Sequence, residues 1–489
     1  MTNKRKIIND PVYGFLSIDD DLIYDVIEHP YFQRQRAIKQ LGFTYLVYPG
    51  AMHSRFSHML GALNLMKRAI AVLRTKGVSI SDDESLGVQL AILLHDVGHG
   101  PFSHTSEKVL CNVHHEYLTG LFMRRLNAEF GGRLQTAIEI FDDTYPRHFL
   151  HQLVSSQLDM DRLDYLARDS FFTGVSEGIV GTERIINMLN VKDDVLVVDE
   201  KGIYSIEKFI ISRRLMYWQV YLHKTVIAAD NVFYSILSRA RHLLSQGVKL
   251  DGYAPLLTFL ERQYDASDFT DDRAFVSQVT AHSSPFSVLR SPFSAPRSPF
   301  SAPRSPFSAP RSPFSVLRSP FSAPRSPFSV LSSPFSASHL LDLYASIDDA
   351  DVMSTVKVWQ HSPDRVLSTL STMLLWRRLP KVEERTVSFG ADEVKRHIEQ
   401  LMEFSEDGGL VSQVTGHRSQ EWKMTSDEAQ YFVGTGSLVN RSYSFSDSEI
   451  RILYKDGSCR GISESSDQLD RHFLEKAVKK YYIFYPKKL

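Results

Sequence analysis

The chain has 489 residues, 43% apolar and 23% charged, with a formal net charge of −1. That length carries two or three domains and a substantial core. The charge balance excludes a globally basic nucleic-acid binder, leaving only a local basic cleft open to such a partner, and two cysteines, Cys111 and Cys459, exclude a disulfide framework or a cysteine-rich zinc site.

The N-terminal "MTNKRKIIND" has basic residues with no apolar run behind them. No apolar run anywhere reaches the ~18 residues that span a bilayer. The expectation is a cytoplasmic protein with no membrane partner. From about residue 20 to 245 the pattern is helical. "SHMLGALNLMKRAIAVLRTKG" sets Leu60, Leu63, Met66, Ile70 and Leu73 at steps of three and four, with Ser57 near its start and Gly77 past its end. "SDDESLGVQLAILLHDVG" repeats the design, with acids in the first turn and Gly98 as the stop. "HHEYLTGLFMRRLNAEFGG" and "IEKFIISRRLMYWQVYLHKTVIAADNVFYSIL" predict further long helices. Between them, "DDVLVVDEKGIYSI" (193–206) predicts a short hairpin turning at Glu200–Gly202.

From Ser284 to Ser336 the unit S-P-F-S-x-x-[RS] recurs every seven residues. A proline in each unit forbids a continuous helix, and one Phe per unit builds no core. The tract carries Arg290, Arg297, Arg304, Arg311, Arg318 and Arg325 and no acid, so an anionic partner is one reading and a disordered passenger the other. Beyond it, "YFVGTGSLVNRSYSFSDSEIRILYKDGSCRGIS" has Gly-punctuated, β-branched runs. The expected fold is mainly α, a helical bundle with a small α+β C-terminal region and a disordered repeat insertion. The expected segments are 1–282 (core), 283–338 (repeat), 339–380 (helical continuation) and 381–489 (α+β).

Chemistry concentrates early. Seven of the 18 histidines (53, 58, 95, 99, 104, 114 and 115) fall between residues 53 and 115, where even spreading would leave about two. His58 begins one amphipathic helix and His95–Asp96 end another, so packing the two helices antiparallel joins those ends. "LVSSQLDMDRLDYLARDS" then offers Asp159, Asp161, Asp164 and Asp169. Four carboxylates in an otherwise apolar helix coordinate, pair, or form a solvated face with Arg162 and Arg168. Two imidazoles and two carboxylates without thiolate suit one divalent ion: Mn, Fe, Co, Ni or Mg before Zn.

The order H…HD…D, in His58, His95–Asp96 and Asp161, resembles the HD phosphohydrolase superfamily, which makes the expected bundle an HD-domain bundle. The strings "FQRQRAIKQLG", "YPGAMHSRFSHMLG", "HDVGHGPFSH", "HHE" and "DMDRLDYLARDS" resemble its deoxynucleoside triphosphate triphosphohydrolase branch, which holds the bacterial dGTPases. The match covers residues ~8 to 245 and resumes at "LLDLYASIDDADVMSTVKVW". The resemblance implies that His58, His95, Asp96 and Asp161 hold the metal. It implies that His104 and His115 face the α-phosphate with His99 beside them, one of the three acting as proton donor or partner of the attacking water. Arg55 would hold phosphate, with Arg162 at a place often filled by Lys; Gln40 and Leu41 would meet the 3′-hydroxyl and close the space of a 2′-hydroxyl. Tyr165 would stack on the sugar, Asp169 would accept from its 3′-hydroxyl, and Arg213, Tyr221 and Lys224 complete the set. Leu222 replaces an expected Gln at the base. A nucleotide effector and a homo-oligomer come with the resemblance. The competing readings are an HD phosphohydrolase acting on another nucleotide or phosphoester, and a nucleotide or nucleic-acid binding module using the basic repeat.

Overall fold

The computed structural model describes residues 5–269, 337–416, 421–440, 443, 449–469 and 478–488; the Ser-Pro-Phe repeat, and with it the 283–338 segment almost entirely, lies outside them. The chain starts with a hairpin, β1 (Lys6–Asp10) antiparallel to β2 (Gly14–Ile18). Asp10 caps its turn, Oδ1 accepting from the N–H groups of Val12 and Tyr13 at 2.9 Å each, and Gly14 takes the positive φ of 77° that ends it. Leu16 and Ile18 anchor the hairpin in the core.

Two helices then build the centre. α1 (Arg55–Thr75) buries Met59, Leu63, Met66, Ile70 and Leu73 along one face. α2 (Asp82–Leu94) opens on a capping box, Ser81 Oγ accepting from Glu84 N–H and the Glu84 carboxylate from Ser81 N–H. Leu90 to Leu94 are all fully buried, so the C-terminal half of α2 is covered on every side, chiefly by the helix Gln135–Phe141 and by α1. α3 (His104–Leu110), α4 (His115–Glu129) and α5 (Met160–Thr173) follow; α5 packs on α1 and ends at Gly174, in the left-handed conformation. Gly98 lies so close to His115 O and Thr119 N of α4 that a Cβ has no room, which fixes how the loop after α2 crosses that helix.

Two sequence expectations need correction. The hairpin near 200 turns earlier: β3 (Leu189–Lys192) pairs with β4 (Val195–Asp199) across Asp193–Asp194, both at positive φ. Aspartate tolerates that conformation, and a two-residue turn of this hand matches the strand twist. Gly202 instead serves close packing, since a Cβ there would stand 2.6 Å from Val198 and 2.9 Å from Met188. Glu200–Gly202 is a 3₁₀ turn leading into α6 (Ile203–Met216). The long helix expected beyond is also interrupted: α6 runs into a π turn at Tyr217–Tyr221, and α7 (Lys224–Ser245) restarts with His223 as its cap, Nδ1 accepting from Thr225 N–H at 3.1 Å. Such a turn re-aims the residues it carries, here Tyr217 and Tyr221.

After the repeat come α8 (Ala337–Ala345), α9 (Asp349–Trp359) and α10 (Arg365–Leu375), the last packed on α7. The C-terminal region is α+β, as expected. β5 (Lys381–Arg385) and β6 (Gly434–Asn440) flank β9 (Val478–Tyr485), while β7 (Arg451–Leu453) pairs in parallel with β4 and antiparallel with β8 (Cys459–Gly461). That sheet is shared, which joins the C-terminal region to the helical core.

Candidate metal centre and cleft

His58, in the first turn of α1, and His95, just past the end of α2, meet Asp161 in the first turn of α5. His58 Nε2 lies 3.1 Å from Asp161 Oδ1, His95 Nε2 lies 3.4 Å from the same oxygen, and the two Nε2 atoms are 3.4 Å apart. Asp96 adjoins them, 3.5 Å from His95 Nε2 and 3.7 Å from His58 Nε2. Both Nδ1 atoms are already committed. His58 Nδ1–H donates to Asp164 Oδ2 at 2.7 Å and His95 Nδ1–H to Ile92 O at 2.7 Å. That assignment leaves two Nε2 lone pairs and carboxylate oxygens converging on one point, an arrangement that suits a bound cation. The donor set fits a divalent metal ion.

Without an ion the charges lean on one another. Burial lowers the His58 pKa, but its hydrogen bonds to Asp161 and Asp164 outweigh that and hold the ring up at about 10. His95 is raised, Asp96 and Asp161 overcoming its burial. Asp161 is held far below the usual carboxylate range despite burial, by His95 and His58. Asp96 is lowered against its burial by His95, Arg55 and His99.

The cluster opens into a cleft of about 470 Å³ whose walls include Gln40, Leu41, Arg55, Asp96, His99, His115, Asp161, Tyr165, Asp169 and Tyr221. Arg55 is buried at the back, donating to Asp96 Oδ2 and, from Nε and Nη2, to Ser103 Oγ at 3.1 and 2.6 Å. Phe102 and Ser103, at φ 51° and 48°, make a strained turn that brings that hydroxyl in. The rings of His99 and His115 stack at 3.8 Å, and both Nδ1 atoms face one oxygen of Glu107, at 3.1 and 3.3 Å. Burial and the Arg55 charge push His99 down to about 4. Asp169 is gripped from both sides, by His53 Nε2 at 2.8 Å and by Tyr221 OH at 2.8 Å. The Gln40 side-chain oxygen is buried with no hydrogen-bond partner among the described residues.

Other expected residues stand apart. Arg162 donates to Asp159, the cap of α5, at 3.0 Å. Arg213 is buried near Gln157 and against the Tyr217 ring. Lys224 is exposed at the start of α7, and none of these three lines the cleft. His104 begins α3, but its side chain lies outside what the structure describes.

Sequence reasoning missed several contributors. Glu107 carried no signal beyond being an acid in a polar helix. Asp349, at the start of α9, accepts from Lys39 N–H and Phe102 N–H at 3.0 Å each, tying the Gln40–Leu41 wall to the strained turn. Asp230, on α7, lines the cleft and accepts a hydrogen bond from the Thr105 hydroxyl at 3.1 Å, and burial pushes its pKa up to about 7.

Residues 55–169 match the HD domain family and residues 180–249 the HD associated region. A solved phosphohydrolase from Bacteroides thetaiotaomicron VPI-5482 is 43% identical, with a TM-score of 0.78, over 98% of this chain and 99% of that one. The chain belongs to the HD-domain phosphohydrolase superfamily. The uncharacterized protein YwfO of Bacillus subtilis is 39% identical over 50% of this chain and 58% of its own length. A Dictyostelium discoideum protein named as a homolog of the deoxynucleoside triphosphate triphosphohydrolase SAMHD1 is 31% identical over 45% of this chain and 46% of its own. This chain thus spans about half the length of the curated relatives it matches. Among the described residues, no helix is long and apolar enough to cross a membrane.

Proposed function

We propose that this chain hydrolyses deoxynucleoside triphosphates to the deoxynucleoside and tripolyphosphate. The observation that supports the reading is the convergence of His58, His95 and Asp161 on a cleft that also presents Gln40, Leu41, Tyr165, Asp169 and the His99–His115 stack. In this reading His58, His95, Asp96 and Asp161 hold one divalent ion, and Mn, Fe, Co, Ni or Mg suit mixed nitrogen and oxygen donors before Zn. Bound there, the ion supplies Lewis acidity toward a phosphoryl oxygen.

The side chains divide the remaining work. Arg55 has guanidinium N–H groups left over from Asp96 and Ser103 for phosphate, and Arg162, Arg213 and Lys224, though they do not line the cleft, add positive charge at longer range. Asp169, whose carboxylate His53 and Tyr221 grip, accepts from the sugar 3′-hydroxyl, and Gln40 contacts the same hydroxyl. Leu41 fills the space a 2′-hydroxyl would need, and Tyr165 packs on the sugar. Water attacks the α-phosphorus and the bond to the 5′-oxygen breaks. A sugar alkoxide is a poor leaving group, so a proton must reach that oxygen. His99, His104 and His115 are the imidazoles set to deliver it or to orient the water. A homo-oligomer and a nucleotide effector belong to the same reading.

The test is product analysis. A panel of dNTPs and NTPs is incubated with the chain and each metal, then resolved by ion-exchange chromatography. Deoxynucleoside with intact tripolyphosphate is the expected result; dGMP with pyrophosphate, or stepwise orthophosphate, overturns the reaction. Elemental analysis of an Asp96→Ala/Asp161→Ala variant checks the centre, and full metal occupancy there would overturn it.

A further inference from the structure

Behind the metal cluster, a chain of buried charge leads to the N-terminal hairpin. The Asp164 Oδ2 that receives His58 Nδ1–H also accepts from Arg168 Nε at 2.9 Å, while Arg168 Nη2 reaches Asp164 Oδ1 at 3.0 Å. The guanidinium thus grips the carboxylate with two prongs. Its third side, Nη1, donates to Asp10 Oδ2 at 2.7 Å. The side chains of His58, Asp164 and Arg168 are entirely shielded from solvent, and that of Asp10 is 4% exposed. Tyr13, from the turn that Asp10 caps, lays its ring 5.6 Å from the guanidinium carbon.

α1 makes room for this pair. Gly61, one turn beyond His58, lies where a Cβ would collide with both the Asp164 carboxylate and the Arg168 guanidinium. A glycine inside a helix is otherwise a disfavoured choice. Here it admits the ion pair to the back of the metal ligand.

We propose that Asp10, Arg168 and Gly61 are positioning residues of the metal centre. Acting through Asp164, they hold the His58 ring so that bare Nε2 faces Asp161 and His95, and docking of the N-terminal hairpin thereby sets metal affinity. A carboxylate held only by one imidazole can swing about its Cβ–Cγ bond. The two-pronged arginine fixes its plane, and Asp10 fixes the arginine. One Asp10 oxygen closes the hairpin turn and the other holds Arg168, so the turn and the ligand share a single side chain. The inference rests on the metal centre proposed above.

The test measures Mn(II) affinity of the full chain by competition with a chelating dye, with circular dichroism as the check of folding. The variants are Asp10→Asn, Arg168→Lys and Gly61→Ala. Asp10→Asn keeps an oxygen for the turn but loses the charge at Arg168; Gly61→Ala removes no charge and only displaces the pair. Each folded variant should bind Mn(II) about 10- to 100-fold more weakly. Phe15→Ser, an exposed change in the same hairpin, should leave affinity within about twofold of wild type on the same reasoning. A stability-only role would lower the melting temperature and spare the affinity. Wild-type affinity in folded Asp10→Asn and Gly61→Ala overturns the inference while leaving the centre intact. A wild-type chain that binds no Mn(II), nor any other divalent ion tried, overturns the centre and the inference with it.

Discussion

Asp230 makes a quantitative test of the cleft, because its burial predicts opposite behaviour at the two ends of the pH scale. Its ordinary carboxyl value of 3.8 is pushed up to about 7 by burial, which the Thr105 hydroxyl only partly offsets. The folded state therefore binds the proton more tightly than the unfolded chain does. Asp230 costs nothing below pH 4, costs increasingly as pH rises toward 7, and costs a constant amount above that. The full shift sets a ceiling of about 4 kcal/mol at 1.36 kcal/mol per unit. Water reaches the open cleft, so about 2 kcal/mol is the working expectation. Asp230→Asn abolishes the titration. Its stability relative to wild type should be near equal below pH 4 and should rise from there to pH 7, reaching an advantage of several degrees in melting temperature at pH 8. Thr105, its hydrogen-bond partner, and Tyr482, raised by burial and by the Asp230 charge, do not titrate in that window. Substrate binding should follow the same curve: above pH 7 an ionised Asp230 repels a polyphosphate, so KM should rise in wild type and not in Asp230→Asn. Thermal melts from pH 3 to 8.5 and initial rates from pH 4.5 to 8.5 read both. A stability difference that stays flat with pH would refute the reasoning.

Glu107→Gln should lower kcat by about 10²-fold or more with metal content unchanged, because the two stacked imidazoles lose the carboxylate that orients both; equal kcat in variant and wild type would make Glu107 structural only. Leu41→Ala should narrow the preference for deoxyribonucleotides over ribonucleotides about 10-fold by opening space beside the sugar, measured as the ratio of kcat/KM for dGTP and GTP. An unchanged ratio would place discrimination elsewhere.

What could be read from sequence follows from how each residue does its work. The residues proposed to hold the metal sit at helix ends, where short motifs fix geometry locally, so "SRFSH", "HDVGH" and the aspartates of 159–169 announced their convergence. The helical class came from a three-and-four periodicity that burial alone dictates. The hairpin at 189–199 was misplaced because glycine usually marks a turn, whereas Gly202 serves packing and two aspartates make the turn. Glu107 and Asp349 were silent, since an acid in a polar stretch looks like a solvated face until a distant segment arrives beside it. Asp349 arrives from beyond the repeat, and that geometry bears on the insertion. The chain leaves the described body at Phe269, fully buried, and resumes at α8, which packs against the short turn holding Phe269. Exit and re-entry are thus neighbours on one surface. α8 itself serves the site: Tyr344 OH donates to Gly98 O at 3.2 Å, bracing the loop that carries His99. Deleting residues 284–336 should therefore leave fold, metal content and dNTP turnover within about twofold of wild type, because the remaining linker still joins two adjacent points. Loss of turnover in a deletion variant that melts like wild type would show that the repeat takes part in the reaction.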